Sequence, residues 1–386
     1  MTHSPGIAEA EQQRHPRSPA DERTAALEPI RVCILAPSLD ILGGQSRQAA
    51  RLLENFQREP DLRVSFIPHN PRLPGPLRSL QRVKYVRTVV TTLTYWALLL
   101  ARLWRHDVIH VFSASYYSCL LCVAPAILVG KAYRKKVVLN YRSGEAHDHL
   151  SNWKLTAVPI MRLADEIIVP SGYLVDVFAE FGLQAKPIFN FVELDAFAYR
   201  ERRPIRPAFL TTRLLEPLYN VPCVLRAFAI VQQHFPDASL TVAGDGSMRR
   251  QLEALAGSLG LKNTVFVGGV SYDRMPELYD SADVYLNAPD LDNMPGSLVE
   301  CMSCGLPIVT TDAGGVPYIV SHERTALIVP RGDHEAMAAS AIRLLQDNAL
   351  AVAIARCGRD SCRRFTWPEV RGQWLDTYRS LAGRGQ

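Results

Sequence analysis

Asp292 and Glu300 stand with seven residues between them in the stretch LDNMPGSLVECMSCGLPIVTTDAGGVP, which runs from 291 to 317. Carboxylates accept hydrogen bonds from hydroxyl groups, and free backbone N–H groups at helix starts and glycine turns bind anionic oxygens. The stretch offers both kinds of group, because a short apolar segment follows Gly296 and the paired glycines Gly314 and Gly315 lie just beyond it. A purely structural use of one acid is equally open. Ser297 and Glu300 have the spacing of a capping box, in which Glu300 accepts from the Ser297 backbone N–H.

The elements that hold these residues follow from pattern. DVYLNAP before the stretch and LPIVTT within it are apolar, β-branched runs of strand length. Between them Ser297 is expected as an N-cap, Leu298 to Cys304 as a helix, and Gly305 as the residue after its C-terminus, where positive φ is needed. The unit reads strand, loop, helix, strand. Asp292 then lies in the loop at the carboxyl end of the first strand, and Asp312 to Val316 in the loop after the second, on the side where open α/β sheets bind ligands.

The same alternation runs through the whole chain. RVCILAP, RVSFIP, DVIHVFS, KVVLNYR and DEIIVPS alternate with helical segments in the first half, and AFLTTR, SLTVAGDG, TVFVGGV and DVYLNAP do so in the second, which implies two doubly wound parallel sheets. A length of 386 residues with 48% apolar content fits two domains with ordinary cores. The expected division is 30–195 for the first domain, 196–207 for a charged, proline-containing linker, 208–365 for the second domain and 366–386 for an amphipathic C-terminal helix. Residues 1–29 are polar and without periodicity, and are expected as a disordered tail. They contain no signal-peptide pattern, so secretion is not expected. The apolar runs 88–104 and 116–130 are short for a membrane span and are interrupted by Arg102 and Pro125. The pairs Cys119/Cys122 and Cys301/Cys304 lie in apolar helical context without further Cys or His, and read as small buried hydrophobes.

The order of these segments, and the 291–317 stretch above all, resembles the family-four retaining glycosyltransferases of GT-B fold. That family's signature joins two acids seven residues apart to a small-residue helix, a G-x-P-V run and a Gly-Gly loop, matched here by Asp292, Glu300, CMSCGLPIV and DAGGVP. The resemblance implies an α/β fold of two Rossmann-like domains facing a cleft, with the C-terminal helix packed back toward the first domain. It implies transfer of a sugar, with retention, from a UDP- or GDP-sugar donor to an acceptor hydroxyl in polysaccharide or glycolipid assembly, with no metal or other cofactor. Under it Glu300 accepts from the ribose hydroxyls, while Asp292 and the backbone of Asn293, Met294 and Gly296 face the sugar. Gly314, Gly315 and Val316 lie near the diphosphate or sugar, and Gly244 forms a wall of the site. The family's first acid is usually Glu; the Asp here reaches about 1.5 Å less far.

Two further regions carry the resemblance. After the first strand of the second half the family has an Arg and, about five residues on, a Lys that together clamp the leaving diphosphate; this chain has Arg213, but Leu218, Tyr219 and Asn220 stand where the Lys is expected. A basic residue from the first half must then supply that charge, or the protein is slow or silent. In the first half the resemblance brings Gly43 and Gly44 to the donor phosphate. The loop after KVVLN, where many relatives carry a cleft histidine, here holds Arg142 and Glu145 as acceptor-side candidates, with His147, Asp148 and His149 beside them. The alternatives within reach are a GT-B sugar-nucleotide epimerase and a catalytically silent GT-B scaffold.

Charge is unevenly spread. Residues 62–144 contain 13 Lys or Arg and one acid, Asp107, while the whole chain has a formal net charge of only +5. With Tyr85, Tyr95, Trp96 and Trp104 among them, these residues are expected to meet an anionic membrane surface reversibly on its cytoplasmic face, with a lipid-linked or glycan acceptor. Nucleic acid is not expected as a partner, because the basic residues are interrupted by long apolar helices.

Overall fold

The computed structural model describes residues 28–40, 44–73, 75–113 and 115–384, with the side chains at 76, 77, 80, 82 and 84 left out. Gly43 and most of the expected tail lie outside the described residues.

Two six-stranded sheets form the frame. The first comprises β1 (Ile30–Ala36), β2 (Leu62–Pro68), β3 (Val108–Phe112), β4 (Lys136–Asn140), β5 (Glu166–Val169) and β6 (Lys186–Pro187) in the order β2-β1-β3-β4-β5-β6. The second comprises β7 (Ala208–Thr212), β8 (Ser239–Ala243), β9 (Thr264–Gly268), β10 (Val284–Asn287), β11 (Ile308–Thr311) and β12 (Leu327–Val329) in the order β12-β11-β10-β7-β8-β9. Every pairing between these strands is parallel. Parallel strands need long crossovers, and the crossover helices cover both faces, which is why β3, β10 and β11 are buried along their whole length.

The helices are α1 (Gly44–Gln57), α2 (Lys84–Arg102), α3 (Ala124–Ala132), α4 (Ala146–Asn152), α5 (Lys154–Met161) and α6 (Gly172–Glu180) in the first half. In the second they are α7 (Val221–His234), α8 (Arg249–Ser258), α9 (Met275–Ser281), α10 (Gly296–Cys304), α11 (His334–Gln346), α12 (Asn348–Ser361) and α13 (Trp367–Leu381). Helix α10 begins at Gly296 behind Pro295, and no side chain caps it. It therefore starts two residues before the expected Leu298, and Ser297 is not its cap. Helix α12 has no counterpart among the segments read from sequence; Asp347 caps it by accepting from the Leu350 N–H. Among the described residues, no helix is long and apolar enough to cross a membrane.

The strand order reverses at β1/β3 in one sheet and at β7/β10 in the other. Ligands of doubly wound sheets sit at that switch point. The loops there are those carrying Arg213 after β7 and Asp292 after β10.

The chain passes to the second domain near Phe191 and returns near Phe365, and the two crossings are clipped together where the Val192 N–H donates to the Phe365 carbonyl at 2.9 Å. On its return, α13 lays Val370, Trp374, Leu375 and Tyr378 into the core formed by β1, β3 and α1. Phe56 of α1 meets Trp374 and Tyr378 edge-on, with ring centroids 6.1 and 5.3 Å apart. Arg371 forks onto Glu59 at 2.6 and 2.5 Å, and Arg379 reaches Asp61 at 2.5 Å. The C-terminal helix thus belongs to the first domain's packing.

Residues 196–207 are tied to the second domain by their arginines. Arg200 and Arg206 both pair with the buried Asp283, at 2.9 and 2.8 Å. Arg202, itself 2% exposed, donates to the carbonyls of Tyr279, Ala282, Cys304 and Gly305. Those carbonyls close the C-terminal ends of α9 and α10, where the last turn leaves acceptors without a helical partner.

Candidate active site

Arg213 and Asp292 meet in an ion pair between Nη2 and Oδ2. Both side chains are largely shielded, at 10% and 13% exposure, so this pair is screened far less than a surface one. Arg213 also donates from Nη1 to Ser297 Oγ at 3.3 Å and lies over the Tyr219 ring at 4.1 Å from its centroid. Its Nε is buried without a partner. Burial works to lower the Arg213 pKa, and the combined pull of Asp292, Tyr219 and Tyr285 raises it instead, so the guanidinium is charged at any working pH. Asp292 in turn accepts from the Asn293 N–H at 2.8 Å through Oδ1.

Glu300 does not cap its helix. Its Oε2 accepts from the Tyr279 hydroxyl at 2.8 Å, and the side chain is buried within the electrostatic reach of Arg47 and Arg51 of α1. Burial pushes its carboxyl pKa up, against the Tyr279 hydrogen bond and the positive charges of Arg51, Arg47 and Arg213. With Ser297 engaged by Arg213 and Glu300 by Tyr279, the capping-box alternative does not form.

The glycines are needed for backbone contact. A Cβ at Gly315 would collide with the Asn293 carbonyl, and one at Gly314, where φ is +47°, with the Asp292 carbonyl. The Gly315 N–H donates to that Asp292 carbonyl at 2.9 Å. The loop after β11 is thus packed main chain to main chain on the turn that bears Asp292. Gly244 serves the same end after β8, since a Cβ there would strike the Arg213 carbonyl. Gly296 comes within reach of Glu300, its added Cβ lying 3.9 Å from Oε1. Met294 and Val316 are buried in the second domain's core. Gly44 opens α1 with nothing within 4 Å of an added Cβ.

The first domain closes over this turn. Ser171 Oγ donates to Asn293 Oδ1, and Asn190 donates its backbone N–H to the Met294 sulfur at 3.1 Å. A Cβ on Gly144 would lie 3.6 Å from the Asn293 nitrogen, which places the loop of Arg142 and Glu145 directly against residues 291–293. Arg142 is part-buried, donates from Nε to Asn140 Oδ1 at 2.9 Å and stacks over Phe112 at 5.1 Å, whereas Glu145 is exposed. Asp148 accepts from Tyr116 at 2.6 Å and His149 Nδ1 meets the Tyr141 hydroxyl at 3.1 Å, while Arg142 Nη1 and His149 Nε2 are buried without a partner. Among the described residues, no group of three His, Cys, Asp or Glu is placed to hold a metal ion.

The structure therefore brings Arg213, Asp292, Glu300 and the three loop glycines into one wall, with the loop of Arg142 packed against its Asp292 turn through Gly144. Four members of the site had no expected role: Arg47 and Arg51 of α1, Tyr272 after β9, and Tyr279 of α9. Arg47 and Arg51 lie over the Tyr272 ring at 4.3 and 4.9 Å, and Arg51 donates to its hydroxyl at 2.5 Å. They join the site across more than 200 residues of sequence, and no local motif marks such a contact.

Residues 200–361 match the model of the family described as glycosyl transferases group 1. The match takes in the second domain and covers less than half of the chain. The relatives include a phosphatidyl-myo-inositol mannosyltransferase of Mycobacterium leprae, 30% identical over 172 residues that make up 44% of this chain and 45% of the relative. The protein of the same description from Mycolicibacterium smegmatis is 27% identical over 62% of this chain and 57% of its own. The match thus spans about half the length of these curated relatives. A GDP-mannose-dependent alpha-(1-6)-phosphatidylinositol monomannoside mannosyltransferase of Mycolicibacterium smegmatis is 26% identical over 61% of this chain and 69% of its own. Among solved structures, Anabaena HepE in complex with UDP and glucose superposes with a TM-score of 0.71 at 18% identity, covering 91% of this chain and all of that one. The sucrose-phosphate synthase of Thermosynechococcus elongatus gives 0.70 at 18% identity over 92% and 99%. These structural likenesses establish the GT-B arrangement of both domains. Within the group 1 family match lie Arg213, Asp292, Glu300 and the Gly-Gly loop, and outside it lie α1, the Arg142 loop and α13.

Proposed function

We propose that the protein is a retaining glycosyltransferase that moves a sugar from a UDP- or GDP-sugar to an acceptor hydroxyl. The observation that carries this reading is the Arg213–Asp292–Glu300 wall at the switch point of the second sheet, with its helix start and glycine loop. In this reading Glu300, its inner oxygen held by Tyr279, accepts from the ribose hydroxyls. The donor diphosphate binds Arg213 and the free N–H groups at the start of α10. Asp292 is then released to accept from sugar hydroxyls. In the transfer step the bond between the anomeric carbon and the leaving phosphate oxygen breaks, a bond to the acceptor oxygen forms on the same face, and the acceptor's proton passes to the departing phosphate. Arg213 stabilises the charge that develops on that phosphate. No metal is required by this scheme, because the protein's own cation meets the leaving group.

An acceptor carried on a membrane lipid fits the first domain. Tyr85, Val86, Val89, Leu93, Trp96, Leu100 and Trp104 are exposed along α2 and just past its end, at three- and four-residue intervals. Such a row is one apolar helix face, and Arg78, Arg87, Arg102 and Arg105 accompany it. The basic side chains form no single stripe; the apolar ones do. The lipid acceptors named for the mycobacterial mannosyltransferases support the same class of substrate. We place the protein peripherally on the cytoplasmic face of the membrane.

The test is a panel of uridine and guanosine nucleotides against thermal unfolding of the wild type and Glu300→Ala. One of the two diphosphates should raise the unfolding temperature as RT ln(1 + [L]/Kd) requires. Glu300→Ala should bind that nucleotide about tenfold more weakly, as expected for loss of roughly 1.4 kcal/mol from a charge-assisted contact. A wild type unmoved by either diphosphate would remove the glycosyltransferase reading.

A further inference from the structure

We propose that Arg142 is a substrate-binding residue, the second cation for the donor diphosphate, supplied by the first domain where the second domain has Tyr219. The inference rests on the glycosyltransferase reading and names a residue that this reading alone does not require.

Every partner of the Arg142 side chain is neutral. Nε donates to the Asn140 amide oxygen at 2.9 Å and the guanidinium faces the Phe112 ring. Nη1 is buried and has no partner at all. Among the described residues no carboxylate comes within ion-pair distance of it. Burial brings its pKa down to about 9, with no opposing charge to offset the loss of water, so it remains protonated at neutral pH. An unpaired charge in such surroundings is costly unless something anionic arrives to meet it.

The guanidinium is also aimed. Burial drops the His110 pKa to about 3, so the ring is neutral. Arg142 can only donate, which fixes the Asn140 amide with its oxygen toward Nε and its nitrogen toward His110 Nε2 at 2.8 Å. The remaining ring proton then sits on Nδ1, 2.6 Å from the Tyr378 hydroxyl. A chain of hydrogen bonds therefore runs from α13 through β3 and β4 to the Arg142 guanidinium, its last member. Tyr378, His110 and Asn140 are positioning residues in this scheme.

The place of the charge identifies the anion. Two residues on, Gly144 packs against the turn that carries Asp292, the ion-pair partner of Arg213, so the Arg142 loop adjoins the turn that bears the second domain's site. Arg213 is already balanced by Asp292, and the residue that stacks beneath it is Tyr219. Arg51 is occupied by Tyr272 and the Phe191 carbonyl, toward the Glu300 end. A diphosphate with its two charges thus finds one cation in each domain. Its arrival would bridge Arg213 and Arg142 and add a tie between the two domains to those made by Ser171 and Asn190.

The test compares wild type, Arg142→Met and Arg142→Lys for thermal unfolding and for calorimetric binding of UDP, GDP and the matching nucleosides uridine and guanosine. Arg142→Met should raise the unfolding temperature of the empty protein, because it replaces an unpaired buried charge by an apolar chain of similar length. It should weaken the preferred diphosphate at least tenfold and leave the matching nucleoside unaffected, and Arg142→Lys should recover part of the loss. Diphosphate binding by Arg142→Met equal to that of wild type overturns the inference, as does an equal loss for nucleoside and diphosphate, which marks a structural role. A loss confined to transfer onto a phosphate-bearing acceptor, with donor binding intact, also overturns it and moves the residue to the acceptor side. A wild type that binds no diphosphate removes the glycosyltransferase reading and this inference with it, whereas nucleotide binding that ignores Arg142 removes only the inference.

Discussion

The two domains share one architecture and treat charge in opposite ways. In the second, buried ionic groups are matched: Asp283 by Arg200 and Arg206, Arg213 by Asp292, Glu300 by the Tyr279 hydroxyl. In the first, Glu59 is matched by Arg371, but the buried histidines are kept neutral and Arg142 is left alone. Among the described residues, the four histidines whose pKa is depressed, His69, His106, His110 and His149, lie there, and so does the unmatched Arg142. The first domain also carries the exposed apolar row of α2, for which the second has no equivalent of that length. A site for one fixed ligand is best served by pre-paired groups that hold their geometry when empty. A surface that meets a separate acceptor leaves its groups to be completed by what binds.

The strongest way to break this contrast is Arg213→Ala. If the matched pair serves the departing diphosphate, the variant should transfer sugar at least a hundredfold more slowly, about 2.7 kcal/mol of transition-state stabilisation, with Arg213→Lys intermediate. Turnover equal to wild type would mean that the leaving group is met elsewhere.

A smaller effect should separate the domains by pH. Burial holds His69 near a pKa of about 4 and His110 near about 3. An unfolded histidine takes up its proton below about 6.5, while these two stay neutral in the fold, so stability is complete above that pH and falls as the pH drops toward the folded values. Each should cost about 2 kcal/mol between pH 7 and pH 5. Denaturant titrations of wild type and His110→Gln at the two pH values should show the slope reduced in the variant, and hydrogen exchange at pH 5 should find the added opening in the first domain. Identical pH dependence in both proteins would refute the assignment.

The smallest expected effect concerns the apolar row. Co-sedimentation with anionic vesicles should fall severalfold for the pair Leu93→Glu and Trp96→Glu, and should decline as salt screens the accompanying arginines. Recovery in the supernatant whatever the lipid charge would assign the row to another partner.

How much of this was legible beforehand follows the same division. The strand–loop–helix–strand unit around Asp292 and Glu300 is local, and its apolar runs, its acids and its glycines are close enough in sequence to be read together. What could not be read was why each residue is there. Gly314 and Gly315 were expected near a ligand, and the structure adds a steric reason in the Asp292 and Asn293 carbonyls. The capping box was a fair alternative from spacing alone, and it fails because Tyr279 and Arg213, distant in sequence, compete for its two members. Helix α12 escaped notice because its buried face, Ala351, Val352, Ile354, Ala355 and Gly358, is mostly small residues, a weak periodic signal beside its arginines. The Arg47–Arg51–Tyr272 contact and the Tyr378–His110–Asn140–Arg142 chain depend on how two sheets and a returning helix pack, and one-dimensional pattern contains no trace of them.

The return of α13 bears on how the protein is made. Trp374 and Tyr378 are wholly buried in a core whose other walls, from β1 and α1 through β3, β4 and β5 to Phe191, are all complete by residue 191. While the chain grows from its N-terminal end, that core lacks one side until residues 367–381 have left the ribosome, by which time the intervening domain has been synthesised and can have folded. The nascent first domain must wait with Phe56, Phe112 and His110 uncovered. A stop codon between Ser361 and Trp367 would release a chain with its second sheet finished and its first domain's core open, a species that chaperones and proteases would meet before any substrate does.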